Sequence, residues 1–172
     1  MISIVKATLQ DAPLLSKIGQ QTFMESHGKS APEKDLNNYM ENNLSLENFK
    51  NELADSSNIY HLFYSNNRAA GYSKIILNTS NKNLKEENIT KLERLYILKE
   101  FYNLKLGYHL LLFNVNLAKQ NSQSGLWLNV WTENKRAINF YKKTGFKIIG
   151  EYLFKISATH SNPNHQLFLA IN

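Results

Sequence analysis

Leu92-Glu93-Arg94-Leu95-Tyr96-Ile97, a connecting segment ending at Gly107, and the helical run that follows decide the fold. A second strand, Leu126 to Trp131, comes next, and then a second helix carrying Asn134, Ala137, Phe140 and Tyr141. Strand, turn, helix, strand, helix is the order of a βαβ unit. A helix that opens directly after a strand presents unpaired backbone N–H groups and a partial positive charge. That combination suits a phosphate group.

The neighbouring pattern extends this unit in both directions. Gly107 to Gln120 reads as a helix, with Tyr108, Leu111, Leu112, Val115 and Ala118 at the spacing of one face. In the following strand, Leu126, Leu128 and Val130 alternate with Trp127, Asn129 and Trp131. Asn134 suits the cap of a helix running to Thr144, and Gly145 sits where a left-handed end residue is wanted. Upstream, Ile89 to Leu98 is the unit's first strand. Ile59 to Tyr64 and Arg68 to Leu77 form a hairpin about Asn66-Asn67, with Gly71 marking a close backbone approach. The polar stretch from Asn78 to Asn88 reads as a mobile loop.

Near the start, Ser3 to Ala7 is a strand, and Thr8 with Asp11 makes a capping-box-like entry to a helix carrying Leu14, Leu15, Ile18 and Phe23. Pro13 is tolerated only close to the first turn. His27 to Pro32 reads as a loop and Glu33 to Asn42 as a short helix. Another helix opens at Ser45, with Leu46, Phe49, Lys50 and Leu53 on one side. At the other end, Lys147 to Ile156 and Gln166 to Ile171 read as closing strands, joined by a loop from Ser157 to Asn164 that contains Pro163. No internal repeat or linker divides the chain, so residues 1–172 are expected to form one domain.

Composition narrows the function. The 172 residues are 42% hydrophobic and 20% charged, a globular balance. The chain has no cysteine, which excludes disulfides, thiolate metal sites and a cysteine nucleophile. No apolar run approaches the ~18 residues of a membrane span, and the start lacks the pattern of a signal peptide. A cytoplasmic protein without membrane partner is therefore expected. The net charge of +6 fits either a phosphorylated partner or a solvated lysine-rich surface. The basic residues are dispersed and no nucleic-acid motif accompanies them, so no nucleic-acid partner is expected. His27, His61, His109, His160 and His165 show no paired metal spacing; no metal is expected, and all five read as surface or loop residues.

The stretch Glu93-Arg94-Leu95-Tyr96-Ile97, Gly107, and Asn134 through Ala137, Phe140, Tyr141, Gly145 and Phe146 resembles the GNAT superfamily of acetyl-CoA-dependent N-acetyltransferases. Residues Ile89 to Gly107, the surroundings of Trp131 and the Gln20–Phe23 segment look similar to bacterial diamine and polyamine acetyltransferases of the PaiA type. The resemblance implies an α/β fold: a mixed, mostly antiparallel sheet of six to seven strands, flanked by helices and splayed at its centre around acetyl-CoA. It implies N-acetyl transfer to a primary amine, with a small polyamine favoured. A protein N-terminus, a lysine, another small amine, or CoA-binding regulation without turnover are the alternatives. A homodimer is compatible with it.

The same resemblance assigns roles. In the family's phosphate loop a Gln or Arg is followed by two residues, Gly, one residue, and Gly or Ala. Here Tyr102, Asn103, Leu104, Lys105, Leu106 and Gly107 fill those slots, and only the last glycine is kept. Tyr108 follows. On its own the loop reads equally as a plain strand-to-helix turn. Leu95, Tyr96 and Ile97 would pair with the pantetheine amides as if CoA were an added strand. Asn134 would touch CoA or simply cap its helix. Tyr141 falls in the position of the acid that protonates the departing thiolate; a phenol with reference pKa near ~10 keeps its proton at neutral pH. From spacing alone it is a core tyrosine. Glu93 falls where a carboxylate assists amine deprotonation through water, or is a surface glutamate paired with Arg94 or Lys91. Direct attack is implied, since no nucleophile for a covalent acetyl-enzyme is evident. For the acceptor side, Phe23, Glu25, Tyr39 and Trp131 offer rings and charge, with Glu33, Asp35 and Glu41 nearby in sequence.

Overall fold

The computed structural model describes residues 1–171. Its strands are β1 (Ile2–Lys6), β2 (Ile59–Ser65), β3 (Arg68–Ile76), β4 (Ile89–Ile97), β5 (Gly125–Trp131), β6 (Lys147–Lys155) and β7 (Ser161–Ala170). The helices are α1 (Ala12–His27), α2 (Glu33–Asn43), α3 (Leu46–Ala54), α4 (Leu106–Gln120) and α5 (Lys135–Lys143). One seven-stranded sheet runs β1-β2-β3-β4-β5-β7-β6. Every neighbouring pair is antiparallel except β4 with β5.

Helices cover both faces, as two successive residues of β3 show. A Cβ on Gly19 of α1 would lie 3.4 Å from the Tyr72 hydroxyl. On the opposite face, Ser73 Oγ donates to Asn114 Oδ1 of α4 at 3.2 Å. Two apolar cores result. One joins α1–α3 to β2 and β3 through Leu15, Leu36, Phe49 and Leu62. The other joins α4 and α5 to Leu126, Leu128 and Val130 of β5.

Local chemistry sets the element ends. Thr8 N donates to Asp11 Oδ2 at 2.7 Å and closes a short 3-10 turn, after which Pro13 falls in the first turn of α1. Asn66 and Asn67 take φ of 48° and 62°, the left-handed pair a tight hairpin requires. Asn134 Oδ1 accepts from Ala137 N at 3.2 Å, and Gly145 has φ of 98°. A Cβ on Gly71 would collide with the Tyr96 carbonyl oxygen, so β3 and β4 approach closely only because this residue has none.

Several expectations are corrected. The inward face of α4 is Leu106, Leu110, Leu111, Asn114 and Ala118; Tyr108 and Leu112 are exposed. Leu46 and Lys50 of α3 also face outward, leaving Phe49 as its buried anchor. The 78–88 segment is pinned: Gln123 accepts from Asn78 N at 3.0 Å, Trp127 Nε1 donates to Thr79 O at 2.7 Å, and Asn83 Nδ2 donates to Gln166 at 2.8 Å. His27 belongs to α1, not to a loop. β7 starts at Ser161, so Pro163 lies within a strand, opposite Leu153 of β6 and beyond the last β5 pairing at Trp131 and Asn164. There its missing N–H breaks no ladder to β5, and its carbonyl accepts from Thr132 N.

Candidate active site

β4 and β5 pair only at their start. Ile89, Thr90 and Lys91 face Gly125, Leu126 and Trp127, and no pairing follows. From Leu92 to Ile97 the β5-facing edge of β4 therefore opens onto a cavity of about 1060 Å³, with Leu128 to Trp131 on its other side. Two causes act together. β4 carries a bulge, because Lys74 faces Arg94 while Ile75 faces Leu92, leaving Glu93 as the extra residue. β7 holds β5 along its whole length and keeps it from following the bend.

At one end of this opening lies the 102–107 turn. Asn103 and Lys105 have φ of 66° and 58°, both left-handed. Lys105 takes the conformation for which a glycine would be preferred at its slot. Among the described residues, the backbone N–H groups of 103–107 have no hydrogen-bond partner. Successive free N–H groups in such a turn, at the start of α4, form an anion-binding nest. Positive charge flanks it: Arg136 of α5 sits 3.3 Å over the Tyr102 ring, and Arg136, Asn139 and Lys143 line the cavity from one helical stripe. Burial raises the Tyr102 phenol, against the opposing pull of Arg136.

Deeper in, Tyr141 is 7% exposed, and its hydroxyl has no protein partner among the described residues. Burial, then the nearby Tyr96, pushes this phenol well above its ordinary value, so it holds its proton at neutral pH. Glu93 pairs with Lys74, Nζ to Oε2 at 3.3 Å, and not with Arg94 or Lys91. Lys74, 4% exposed, also reaches Glu52 Oε2 at 2.9 Å. Arg94 donates to the Tyr60 hydroxyl at 2.6 Å and lies 3.4 Å from Glu52, while Tyr60 donates to Glu52. Burial pushes the Glu52 carboxyl up, but Arg94, Tyr60 and Lys74 outweigh it and hold it below its usual value. Two cations and two carboxylates thus balance in one cluster, of which Glu93 and Arg94 line the cavity.

The acceptor side is aromatic. Phe23 stacks on Tyr39 at 4.9 Å and on His27 at 5.1 Å; Trp131 stacks on His27 at 5.8 Å; Tyr39 meets Phe154 at 5.7 Å. Every residue singled out for the site lines this one cavity except Leu104, which is 57% exposed at the turn's tip. Glu33, Asp35 and Glu41 lie outside it, and Glu25 directs Oε2 to Lys99 N at 2.8 Å. The cavity also contains His27, Arg94, Arg136 and Phe154, which the sequence reading did not select. Arg136, Asn139 and Lys143 carried a legible signal, a polar stripe at steps of three and four. His27 and His61 are corrected: His27 is packed among rings, and His61 is 6% exposed against Phe113.

A chain with this splayed sheet, nest and buried phenol belongs to the Acetyltransferase (GNAT) family, whose model matches residues 21–146. That family uses acetyl-CoA. The chain is 28% identical over 153 residues to an uncharacterised N-acetyltransferase of Lactobacillus delbrueckii subsp. lactis, covering 89% of this chain and 88% of the relative. In fold it is similar to the PaiA N-acetyltransferase of Thermoplasma acidophilum, solved in complex with coenzyme A. That likeness has a TM-score of 0.75 at 20% identity over 96% and 98% of the two chains. The ribosomal-protein-S18-alanine N-acetyltransferase of Escherichia coli gives 0.72 at 16% identity over 99% and 94%. The present residues fit acetyl-CoA: the free N–H groups at 103–107 suit its pyrophosphate, and the unpaired edge of β4 suits the amides of its pantetheine arm.

Proposed function

We propose that residues 1–172 act as one catalytic domain that transfers the acetyl group of acetyl-CoA to a small primary amine by direct attack in a ternary complex. The observation that carries this reading is the single cavity joining the 103–107 nest, the free edge of β4 and the Tyr141 phenol. The amine nitrogen bonds to the acetyl carbon, the carbon–sulfur bond breaks, and the amine loses a proton while the thiolate gains one. In this reading Tyr141 supplies the thiolate's proton, since burial keeps the phenol protonated. Glu93, presented by the bulge and oriented by Lys74, accepts the amine's proton through water. Leu95, Tyr96 and Ile97 hold the pantetheine arm. Tyr102 to Tyr108, with Asn134, surround the phosphates.

Phe23, Tyr39 and Trp131 form the acceptor wall, where ring faces attract an ammonium group. A polyamine is the acceptor suggested by the PaiA-type resemblance, and the aromatic wall is what supports it; Glu33, Asp35 and Glu41 do not contribute. A cytoplasmic setting and a homodimer belong to the same proposal. The test is acetyl transfer from acetyl-CoA to spermidine, 2-phenylethylamine, lysine and a peptide with a free N-terminus. Turnover of a small amine supports the proposal, with spermidine ahead if the polyamine assignment holds. Turnover of the peptide alone overturns the small-amine assignment.

A further inference from the structure

His27 ends α1 with its ring stacked between Phe23 and Trp131, its plane 11° and 27° from theirs. A third ring, Tyr96 of β4, meets it edge-on at 6.4 Å. Its Nδ1 lies 2.7 Å from Ser26 Oγ. The serine hydroxyl has one proton, and Oγ also lies 2.8 Å from the Thr22 carbonyl and 3.2 Å from the Phe23 carbonyl, either of which can accept it. With the proton on a carbonyl, Ser26 Oγ accepts from Nδ1–H of His27. In that tautomer Nε2 carries a bare lone pair. No protein donor reaches Nε2 among the described residues, and the ring lines the cavity.

Stacking alone does not require a nitrogen there, because a phenylalanine would fill the same gap. An amine attacking a carbonyl aims its own lone pair at the carbon, and its N–H bonds then point away and need acceptors. Glu93 is already shared with Lys74. A carboxylate also favours the ammonium form, which cannot attack. A neutral imidazole accepts an N–H without that bias. Burial lowers the His27 pKa to about 4, so the ring is neutral at pH 7. Tyr96 links the two halves of the site: it touches His27 on one side and is near enough to Tyr141 to raise that phenol.

We infer that His27 contacts the acceptor, its Nε2 taking a hydrogen bond from an N–H of the attacking amine. This rests on the acetyl-transfer reading above. The test compares His27→Phe, which keeps the ring, with His27→Gln, which keeps a lone pair on a side-chain oxygen. With spermidine or 2-phenylethylamine, whichever wild type turns over faster, kcat/KM of His27→Phe falls roughly tenfold to a hundredfold. The dissociation constant for acetyl-CoA stays unchanged, and His27→Gln recovers part of the loss. Activity of His27→Phe within twofold of wild type, or equal losses in both variants, overturns the inference.

Nitrogen NMR of the wild-type protein decides independently of whether the variants fold. The inference expects His27 protonated on Nδ1 alone, with an Nε2 resonance that moves when the same amine and CoA are added. A proton on Nε2, or an Nε2 resonance that ignores the amine, overturns it. Absence of turnover in wild type with every amine overturns the acetyl-transfer reading itself, while the tautomer still reports on His27.

Discussion

Lys105 separates two ways of holding a pyrophosphate, through backbone N–H groups or through a lysine charge. It sits at φ of 58° and ψ of 13°, immediately before α4. A left-handed conformation costs a residue with a Cβ about 1–2 kcal/mol. Lys105→Gly removes that cost but frees the unfolded chain, which offsets about 0.5–1 kcal/mol. The net stability change is then between zero and about +1.5 kcal/mol. For the ligand, the variant keeps every N–H and loses one charge. A unit charge pair ~5 Å apart in water is worth about 0.8 kcal/mol, or roughly fourfold in affinity. Lys105→Pro loses the N–H and cannot reach positive φ, so the turn must rebuild; affinity falls more than about tenfold and stability by about 2 kcal/mol or more. Calorimetric titration with CoA and urea unfolding read both quantities. Equal loss of CoA affinity in Lys105→Gly and Lys105→Pro would mean that the side chain and not the nest holds the phosphate.

Tyr141→Phe lowers kcat about a hundredfold with acetyl-CoA affinity unchanged, read by steady-state rates beside direct binding. Gly71→Ala forces a Cβ against the Tyr96 carbonyl and costs about 3 kcal/mol in urea unfolding, loosening acetyl-CoA as β4 shifts. Lys74→Met leaves Glu52 with Arg94 alone and takes from Glu93 its one ion-pair partner among the described residues, destabilising by about 3 kcal/mol. The folded pKa of His27, about 4, lies below the 6.5 of an unperturbed imidazole, so the unfolded chain binds the proton more readily. Its contribution is complete above pH 6.5 and fades as pH falls toward 4, up to about 3 kcal/mol; urea midpoints of wild type and His27→Phe across that range should diverge accordingly.

What the sequence disclosed came from residues whose local chemistry allows one answer. Asn66-Asn67, Asn134, Gly145 and Gly71 each announce a backbone geometry, and each adopts it. The family motif added the position of Tyr141, which periodicity assigns to the core; Tyr141 is in fact both buried and lining the cavity. The α4 face was hidden because a buried Asn114, bonded to Ser73, breaks its apolar stripe while Tyr108 and Leu112 decorate the outside. The bulge at Glu93 exists only in the register of β4 against β3, which no local pattern encodes. His27 and Pro163 escape the sequence for the same reason: a histidine before a glycine and a proline among asparagines look like loop residues until tertiary packing places them.

In the proposed function acetyl-CoA completes the sheet between β4 and β5, with its phosphates on the 103–107 nest. Amide hydrogen exchange with and without acetyl-CoA tests it most directly. New protection is expected at the amides of 103–107 and at those between Leu92 and Ile97 that β3 leaves free, with little change in β1 or β2. Binding of acetyl-CoA without protection in both segments would contradict it.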